Sequence, residues 1–435
     1  MSLRLGNATV DRLLVVGFGV TGRAVCQYAV KHNTAAFLSE QRELTDEERA
    51  WLSENGLPYE DGGHTDQALA GVDAIVLSPS VPLTLPLIGH ARRSGIPVYS
   101  ELDLTVLVSA VRPIVAVSGT NGKSSTVTLM GELLRFFGRE APVVGNIGVP
   151  LIDVADDVGR YDALIVEVSS YQLEQSIAFR PDVGVLLNLE PDHLARHGTM
   201  DAYAEAKGRL FRLQNPDDVA ILPSELAERF PQGAARRVFY DDERLTLPDG
   251  ADRLSPHQRA NLRAALCACE ALSPGTDWWQ VPIDRILAAL RLPHRMEEIG
   301  FVDGVRAIND SKATNPASTI AALAAIDGPA VLLLGGRSKG AGYEALREAV
   351  ETSAVRRIVL FGESGKWLSG LFEGHPLDCA SDVEDAVRVG LEAARPGDTL
   401  LFSPACSSYD QFRSFEERGA EFVRVVRVRA GFSDA

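Results

Sequence analysis

Cysteine, positive charge and long apolar runs are all scarce in this 435-residue sequence. The five cysteines, Cys26, Cys267, Cys269, Cys379 and Cys406, are scattered, apart from a Cys267/Cys269 pair inside an alanine-rich stretch of helical pattern. No CxxC pair and no zinc-binding spacing occurs, so all five read as reduced, buried thiols. Lys and Arg number 43 against 59 Asp and Glu, a net charge of −16. So acidic a surface speaks against nonspecific nucleic-acid binding, which needs cations to displace phosphate counterions. It leaves phosphate ligands open, because backbone amides, one lysine and a metal can override the global sign locally. No run approaches the ~18 apolar residues of a membrane span, and the opening MSLRLGNATVDR lacks a signal-peptide core. A cytoplasmic protein without membrane contact is expected. Neither a low-complexity tract nor a repeat of roughly 20–50 residues is present.

What remains is an ordinary globular balance, 46% hydrophobic and 23% charged, long enough for about three domains. Short apolar runs at residues 13–16, 74–77, 114–117, 163–166, 183–187, 330–334, 357–361 and 399–402 alternate with amphipathic stretches. Continuous apolar strands are buried on both faces, which predicts parallel sheets covered by helices, an α/β protein. Ligands then sit beyond the carboxyl ends of the strands, so the polar residues after each run carry the chemistry. One boundary falls around residues 108–112. A second falls near Pro293, which ends a helix predicted over 283–290.

Residues 17–22 read Gly-Phe-Gly-Val-Thr-Gly after the first run, and Glu40 follows eighteen positions beyond Gly22. This is the spacing of a dinucleotide fingerprint, in which glycines admit a diphosphate to a helix N-terminus. From spacing alone, a nicotinamide cofactor, another diphosphate and a ligand-free turn all stay open. The second loop is more specific. The run 114–117 leads into Gly119-Thr120-Asn121-Gly122-Lys123-Ser124-Ser125, and a helix starts at once. Exposed amides and the Lys123 ammonium suit nucleotide phosphates, and the Ser124 hydroxyl suits magnesium. Val117 stands where the full phosphate-loop form has glycine, so this is a shortened variant.

Glu167 ends the next run, and Asp192-His193 closes the stretch NLEPDH after the one beyond it. Both fall on the edge that carries the second loop. A carboxylate and a neutral imidazole there can hold a metal, although acids at strand ends also serve as helix caps. Lys207 lies on a helix predicted over 201–211, and spacing alone makes it a solvated surface lysine.

GTNGKSS at 119–125, GNIG at 145–148, EVSSYQLE at 167–174 and NLEPDH at 188–193 together resemble the Mur ligase superfamily. Pro293-His294-Arg295, INDSKATN at 308–315 and SPACSSYDQFRSFEERG at 403–419 extend the likeness toward its D-glutamate-adding members, over nearly the whole chain. The resemblance implies a Rossmann-like N-terminal domain over 1–110, a central P-loop ATPase-like domain over 111–293 and a Rossmann-like C-terminal domain over 294–435. It puts a uridine diphosphate, not a nicotinamide, against Gly17, Gly19, Thr21 and Gly22. Glu40 and Arg42 then meet the uracil end, and Ser78 and Asn146 the rest of the UDP substrate. ATP is implied at residues 119–125 with Asn261, Arg295 and Asp310. Glutamate is implied at Asp192, Lys312, Thr314, Lys339, Ser408 and Phe415. Lys123, Glu167, His193 and Lys207 become the catalytic set. Ser124, Glu167, His193 and a carbamylated Lys207 become ligands of magnesium, two ions in all. A carbamate forms only on a neutral amine, and it exchanges a cation for an anion with two oxygens.

Three positions depart from the family pattern: Ala195 where an acid is usual, Gln258 where asparagine is expected near the adenine, and Ser338 where acid or glycine is common. The implied reaction joins D-glutamate to UDP-N-acetylmuramoyl-L-alanine through an acyl phosphate, with ATP as co-substrate, small molecules as the only partners and a monomer as the working form. A sister ligase or folylpolyglutamate synthase with another acceptor shares the central domain. A nicotinamide oxidoreductase explains residues 17–22 and leaves 119–124 without a task. A non-catalytic nucleotide-binding regulator makes no ADP.

Overall fold

A computed structural model describes residues 3–6, 8–109, 113–231, 233–242, 244–340 and 342–430. The boundary predicted at 110/111 lies outside the described residues. The chain divides into two compact units, one with residues up to Asn188 and Ala204–Ile286, the other with Leu189–Tyr203 and everything from Leu287 on. No helix among the described residues is long and apolar enough to cross a membrane.

The first unit holds two parallel sheets. In one, Arg12–Val16 lies between Ala35–Ser39 and Ala74–Leu77, with Tyr59–Glu60 and Val98–Ser100 at the edges. In the other, Ile114–Ser118 lies between Leu164–Glu167 and Val183–Leu186, flanked by Val143–Gly145 on one side and Val219–Leu222 and Arg236–Phe239 on the other. In both sheets the chain turns to opposite sides of its first strand, so each glycine loop emerges where the strand order reverses. That crevice is where such sheets bind ligands. The central residues are wholly buried, which is why the strands read as unbroken apolar runs.

The second unit holds the third sheet, in the order Glu297–Val302, Val305–Asn309, Thr399–Ala405, Ala330–Gly335, Val355–Phe361 and Leu377–Cys379. Its first pair is antiparallel, which departs from the predicted all-parallel pattern. The cause is local: Asp303 and Gly304 both take positive φ (49° and 79°), the geometry of a tight hairpin turn. A small antiparallel hairpin, Leu3–Leu5 with Ala8–Val10, was likewise not anticipated. Four cysteines are buried, but Cys379 is exposed because it ends an edge strand, which corrects the expectation for that thiol.

Helix Glu101–Val108 ties the first sheet's segment to the central one. It starts on a capping box between Ser100 and Asp103. Asp103 is fully buried and accepts hydrogen bonds from the Ser176 hydroxyl (2.6 Å) and the amides of Ala178 (2.8 Å) and Phe179 (2.9 Å). Glu101 accepts one from the Ile152 amide (2.7 Å), while its other carboxyl oxygen is buried without a partner. Burial pushes the Glu101 carboxyl up from 4.5 to about 7, partly offset by the Ile152 amide. With the folded value above the unfolded one, its contribution to stability is full below about pH 4.5. It is lost as pH rises through about 7. Glu101→Gln should therefore match the wild type in thermal unfolding at pH 4 and exceed it at pH 8.5, by at most about 3 kcal/mol. Identical curves at both pH values would contradict this.

Candidate active site

At the first loop, Gly17 has φ +92°, and a Cβ there would lie 2.8 Å from the Ser78 Cβ. A Cβ on Gly22 would strike the Gly17 carbonyl, at 1.9 Å. The Ser78 hydroxyl donates to that same carbonyl at 2.9 Å. Gly17 and Gly22 are thus demanded by packing. Gly19, by contrast, has nothing within 4 Å of the place a Cβ would take and leaves the start of helix Val20–Lys31 approachable, with Thr21 in its first turn. The buried Glu40 carboxylate accepts from the amides of Phe18 and Arg42, so it braces the loop from behind. The Arg42 guanidinium holds Glu48 through two bonds of 2.7 Å.

The second loop is built more tightly. Gly119 and Gly122 have φ of +152° and +85°, and a Cβ on Gly122 would lie 2.5 Å from the Asn261 carboxamide oxygen. Helix Lys123–Phe136 follows directly, with Ser124 and Ser125 buried in its first turn. Lys123 donates to the carbonyls of Gly119 (2.9 Å) and Thr120 (2.8 Å). Lys207 donates to the same Gly119 carbonyl at 2.8 Å and is only 1% exposed. This overturns the surface-lysine reading: helix Met200–Arg212 turns that side chain under the loop. Asn188, which sequence reasoning passed over, straps the loop from the neighbouring strand's end. Its carboxamide accepts from the Asn121 amide (2.9 Å) and donates to the Asn121 carbonyl (3.2 Å), and its own carbonyl accepts from Thr120 (3.3 Å).

Glu167 ends Leu164–Glu167, level with Val117 on the adjoining strand. Its Oε1 accepts from the Asn146 side chain at 2.8 Å, and the Asn146 amide donates to the Glu167 carbonyl at 2.8 Å. Gly145 (φ +103°) makes this approach feasible, since a Cβ there would lie 2.4 Å from that carbonyl. The second carboxylate oxygen of Glu167 is buried with no hydrogen-bond partner. A buried carboxyl oxygen without a hydrogen-bond partner fits a hard divalent cation. Among the described residues no three His, Cys, Asp or Glu side chains gather as a metal site. The predicted ligands include only two such side chains, Glu167 and His193, the others being a hydroxyl and a lysine.

The second unit collects most of the residues assigned to glutamate. Asp192 is 4% exposed, and its carboxylate meets the Lys339 ammonium (3.2 Å), the Asn315 side chain (3.0 Å) and the His193 amide (2.7 Å). Burial raises the Asp192 carboxyl, but Lys339, His193 and the Asn315 bond outweigh it and hold it below the usual range. Lys339 also donates to the Thr314 hydroxyl (3.3 Å), and the Lys312 ammonium lies 4.8 Å from the centre of the Phe415 ring. His193 takes φ 55° and sets its ring edge toward Tyr203. Arg295 stands between two further positive-φ residues, His294 and Met296. Asp310 accepts from Ser403 (2.8 Å) and from the Met296 amide (3.2 Å), and burial pushes it up to about 6. Ser408 is buried, and its carbonyl accepts from Gln411 and Phe412. A second residue missed in the sequence is Arg418, 1% exposed, whose guanidinium binds the carbonyls of Ser311 (2.8 Å) and Cys406 (3.0 Å) at two strand ends.

Two departures from the family pattern acquire local explanations. Gln258 completes a capping box with Ser255 at the start of helix Pro256–Leu272. The Ser338 hydroxyl accepts from the Gly340 amide at 3.1 Å. Ala195 is exposed on the short helix Leu194–His197, and nothing in the structure explains that choice.

Comparison with known proteins matches residues 12–84 to the MurD N-terminal domain, 117–242 to the Mur ligase middle domain and 294–406 to the Mur ligase glutamate ligase domain. A curated relative, the UDP-N-acetylmuramoylalanine–D-glutamate ligase of Pelotomaculum thermopropionicum, is 37% identical over 97% of this chain and 98% of its own. Among solved structures, the MurF ligase of Thermotoga maritima in complex with ADP superposes with a TM-score of 0.57 at 18% identity, covering 98% of this chain and 96% of that one. The bifunctional folylpolyglutamate synthase/dihydrofolate synthase of Yersinia pestis, complexed with AMPPNP and a Mn ion, gives 0.53 at 16% identity over 75% and 92%.

Asn188→Ala removes two bonds to the second loop, so ADP affinity measured by calorimetry should fall about tenfold. Unchanged affinity would show that the strap is dispensable.

Proposed function

This chain belongs to the Mur ligase family, and from that premise we propose that it joins D-glutamate to UDP-N-acetylmuramoyl-L-alanine, with ATP converted to ADP and phosphate. The observation that carries the reading is the convergence at one sheet edge of the Lys123 and Lys207 side chains on the Gly119 carbonyl and a buried, partnerless Glu167 oxygen. In this reading the domains are 1–110, 111–293 and 294–435, and the protein is a cytoplasmic monomer.

The UDP end of the substrate lies along Gly17, Gly19, Thr21 and Gly22, with Glu40 and Arg42 toward the uracil, Ser78 beside the loop and Asn146 against the muramoyl group. ATP lies along residues 119–125, with Asn261, Arg295 and Asp310 at the nucleotide. Ser124, Glu167, His193 and carbamylated Lys207 would hold two magnesium ions, which would neutralise phosphate charge. The substrate carboxylate attacks the γ-phosphorus, the bond to the β-bridging oxygen breaks, and ADP leaves with that electron pair. Lys123 turns from its two carbonyls to the transferring group, since phosphoryl transfer depends chiefly on positioning and charge. Asp192, Lys312, Thr314, Lys339, Ser408 and Phe415 hold the glutamate so that its neutral α-amine attacks the acyl carbon. The tetrahedral intermediate expels phosphate, the nitrogen loses its proton, and an amide remains. The match of residues 12–84 to the MurD N-terminal domain supports a UDP-linked substrate over the folate-type alternative.

Phosphate release with UDP-N-acetylmuramoyl-L-alanine should require D-glutamate, and L-glutamate should leave it at background. Lys207→Ala should lose roughly 10²–10³ in rate, the size of one preorganised charge contact. Equal turnover with both enantiomers, or an undiminished variant, would overturn the acceptor or the lysine's role respectively.

A further inference from the structure

In the first compact unit one short helix runs from the Glu167 strand end to the turn beside the first glycine loop. Ser170–Gln175 begins just beyond Glu167, fixed by a reciprocal capping box between Ser169 and Gln172, and six residues of helix span about 9 Å. At its far end Gln175 is 3% exposed, and its amide nitrogen donates to the carbonyls of Val81 (2.8 Å), Ser78 (3.1 Å) and Pro79 (3.4 Å). Those carbonyls belong to the turn after Ala74–Leu77, the turn whose Ser78 hydroxyl holds the Gly17 carbonyl. Arg209, two residues beyond Lys207 on the same helix, donates to the Glu174 carbonyl at 2.6 Å. The helix end is therefore pinned to the first glycine loop on one side and to the Lys207 helix on the other.

The Gln175 side chain carries a cost that packing alone does not explain. Its carbonyl oxygen is buried without a partner, an arrangement that native cores rarely keep. What the position retains is the donor, aimed into a turn that touches the first loop. We propose that Gln175 is a positioning residue, setting the first glycine loop relative to Glu167 and hence the span over which a UDP-linked carboxylate reaches the phosphoryl group. This rests on the function proposed above. The substrate is anchored at one end and reacts at the other, so a misplacement of about 1 Å can cost up to about 10² in rate.

Gln214 supplies a matched control. It is 4% exposed, donates to the carbonyls of Pro181 and Val219 (3.1 Å each), and also has a partnerless carbonyl oxygen, yet it joins only central-sheet segments. Gln175→Met and Gln214→Met, made in the full chain, should lower Tm comparably. Only Gln175→Met should weaken UDP binding in calorimetry and lower kcat/KM for the UDP substrate, each about tenfold or more, with ADP affinity kept within about twofold. Should the methionine variant not fold, Gln175→Asn keeps the amide but draws it back by one methylene, and must show the same selective loss. Kinetics and UDP affinity unchanged for Gln175, or lost equally in both methionine variants, would overturn the proposal. Because UDP and ADP binding need no turnover, a wild-type protein that binds both but forms no amide would refute the proposed function while leaving the role of Gln175 decidable.

Discussion

Two lysine side chains, Lys123 and Lys207, share the carbonyl of Gly119. One arrives from the start of the helix that follows the loop, the other from a helix far along the chain. The loop can accept both because Gly119 and Gly122 adopt backbone angles closed to other residues, and because Asn188 and Asn261 crowd it from the flanks. A protein of net charge −16 thereby sets Lys123 beside the loop amides at one strand end. The global sign governs encounter and solubility, whereas a few ångströms of local field govern phosphate binding.

Much of this was legible in the sequence, for a physical reason. Strands buried on both faces cannot alternate polar and apolar residues, so runs such as 74–77 coincide with the observed Ala74–Leu77 and others fall within three residues of the observed ends. The edge hairpin at Asp303-Gly304 was signalled by its turn residues but hidden among longer runs. Glu40 kept its fingerprint spacing, yet its carboxylate points to the Phe18 and Arg42 amides, a direction that spacing does not encode. Asn188, Arg418 and Gln175 were not legible, because each acts on backbone carbonyls or amides distant in sequence. Lys207 shows the limit most plainly. Helical periodicity left it on the surface, and only tertiary packing, at 1% exposure, places it under the loop.

The second unit solves a related problem with buried charge. Asp310 and Arg418 are both enclosed near strand ends, and burial pushes the acid up to about 6 and the guanidinium down to about 10. Each is nevertheless bound by hydroxyls, amides or carbonyls of the segments that carry Lys312, Thr314 and Ser408. Buried ionic groups seldom maximise stability. Here they fix the strand ends next to Lys312, Thr314 and Ser408.

In the proposed reaction the second loop presents a terminal phosphoryl group to a carboxylate. The most direct measurement labels the alanyl carboxylate of UDP-N-acetylmuramoyl-L-alanine with oxygen-18 and follows the label through one turnover with ATP and D-glutamate. An acyl phosphate leaves one labelled oxygen in the released phosphate. Phosphate carrying no label would contradict the account.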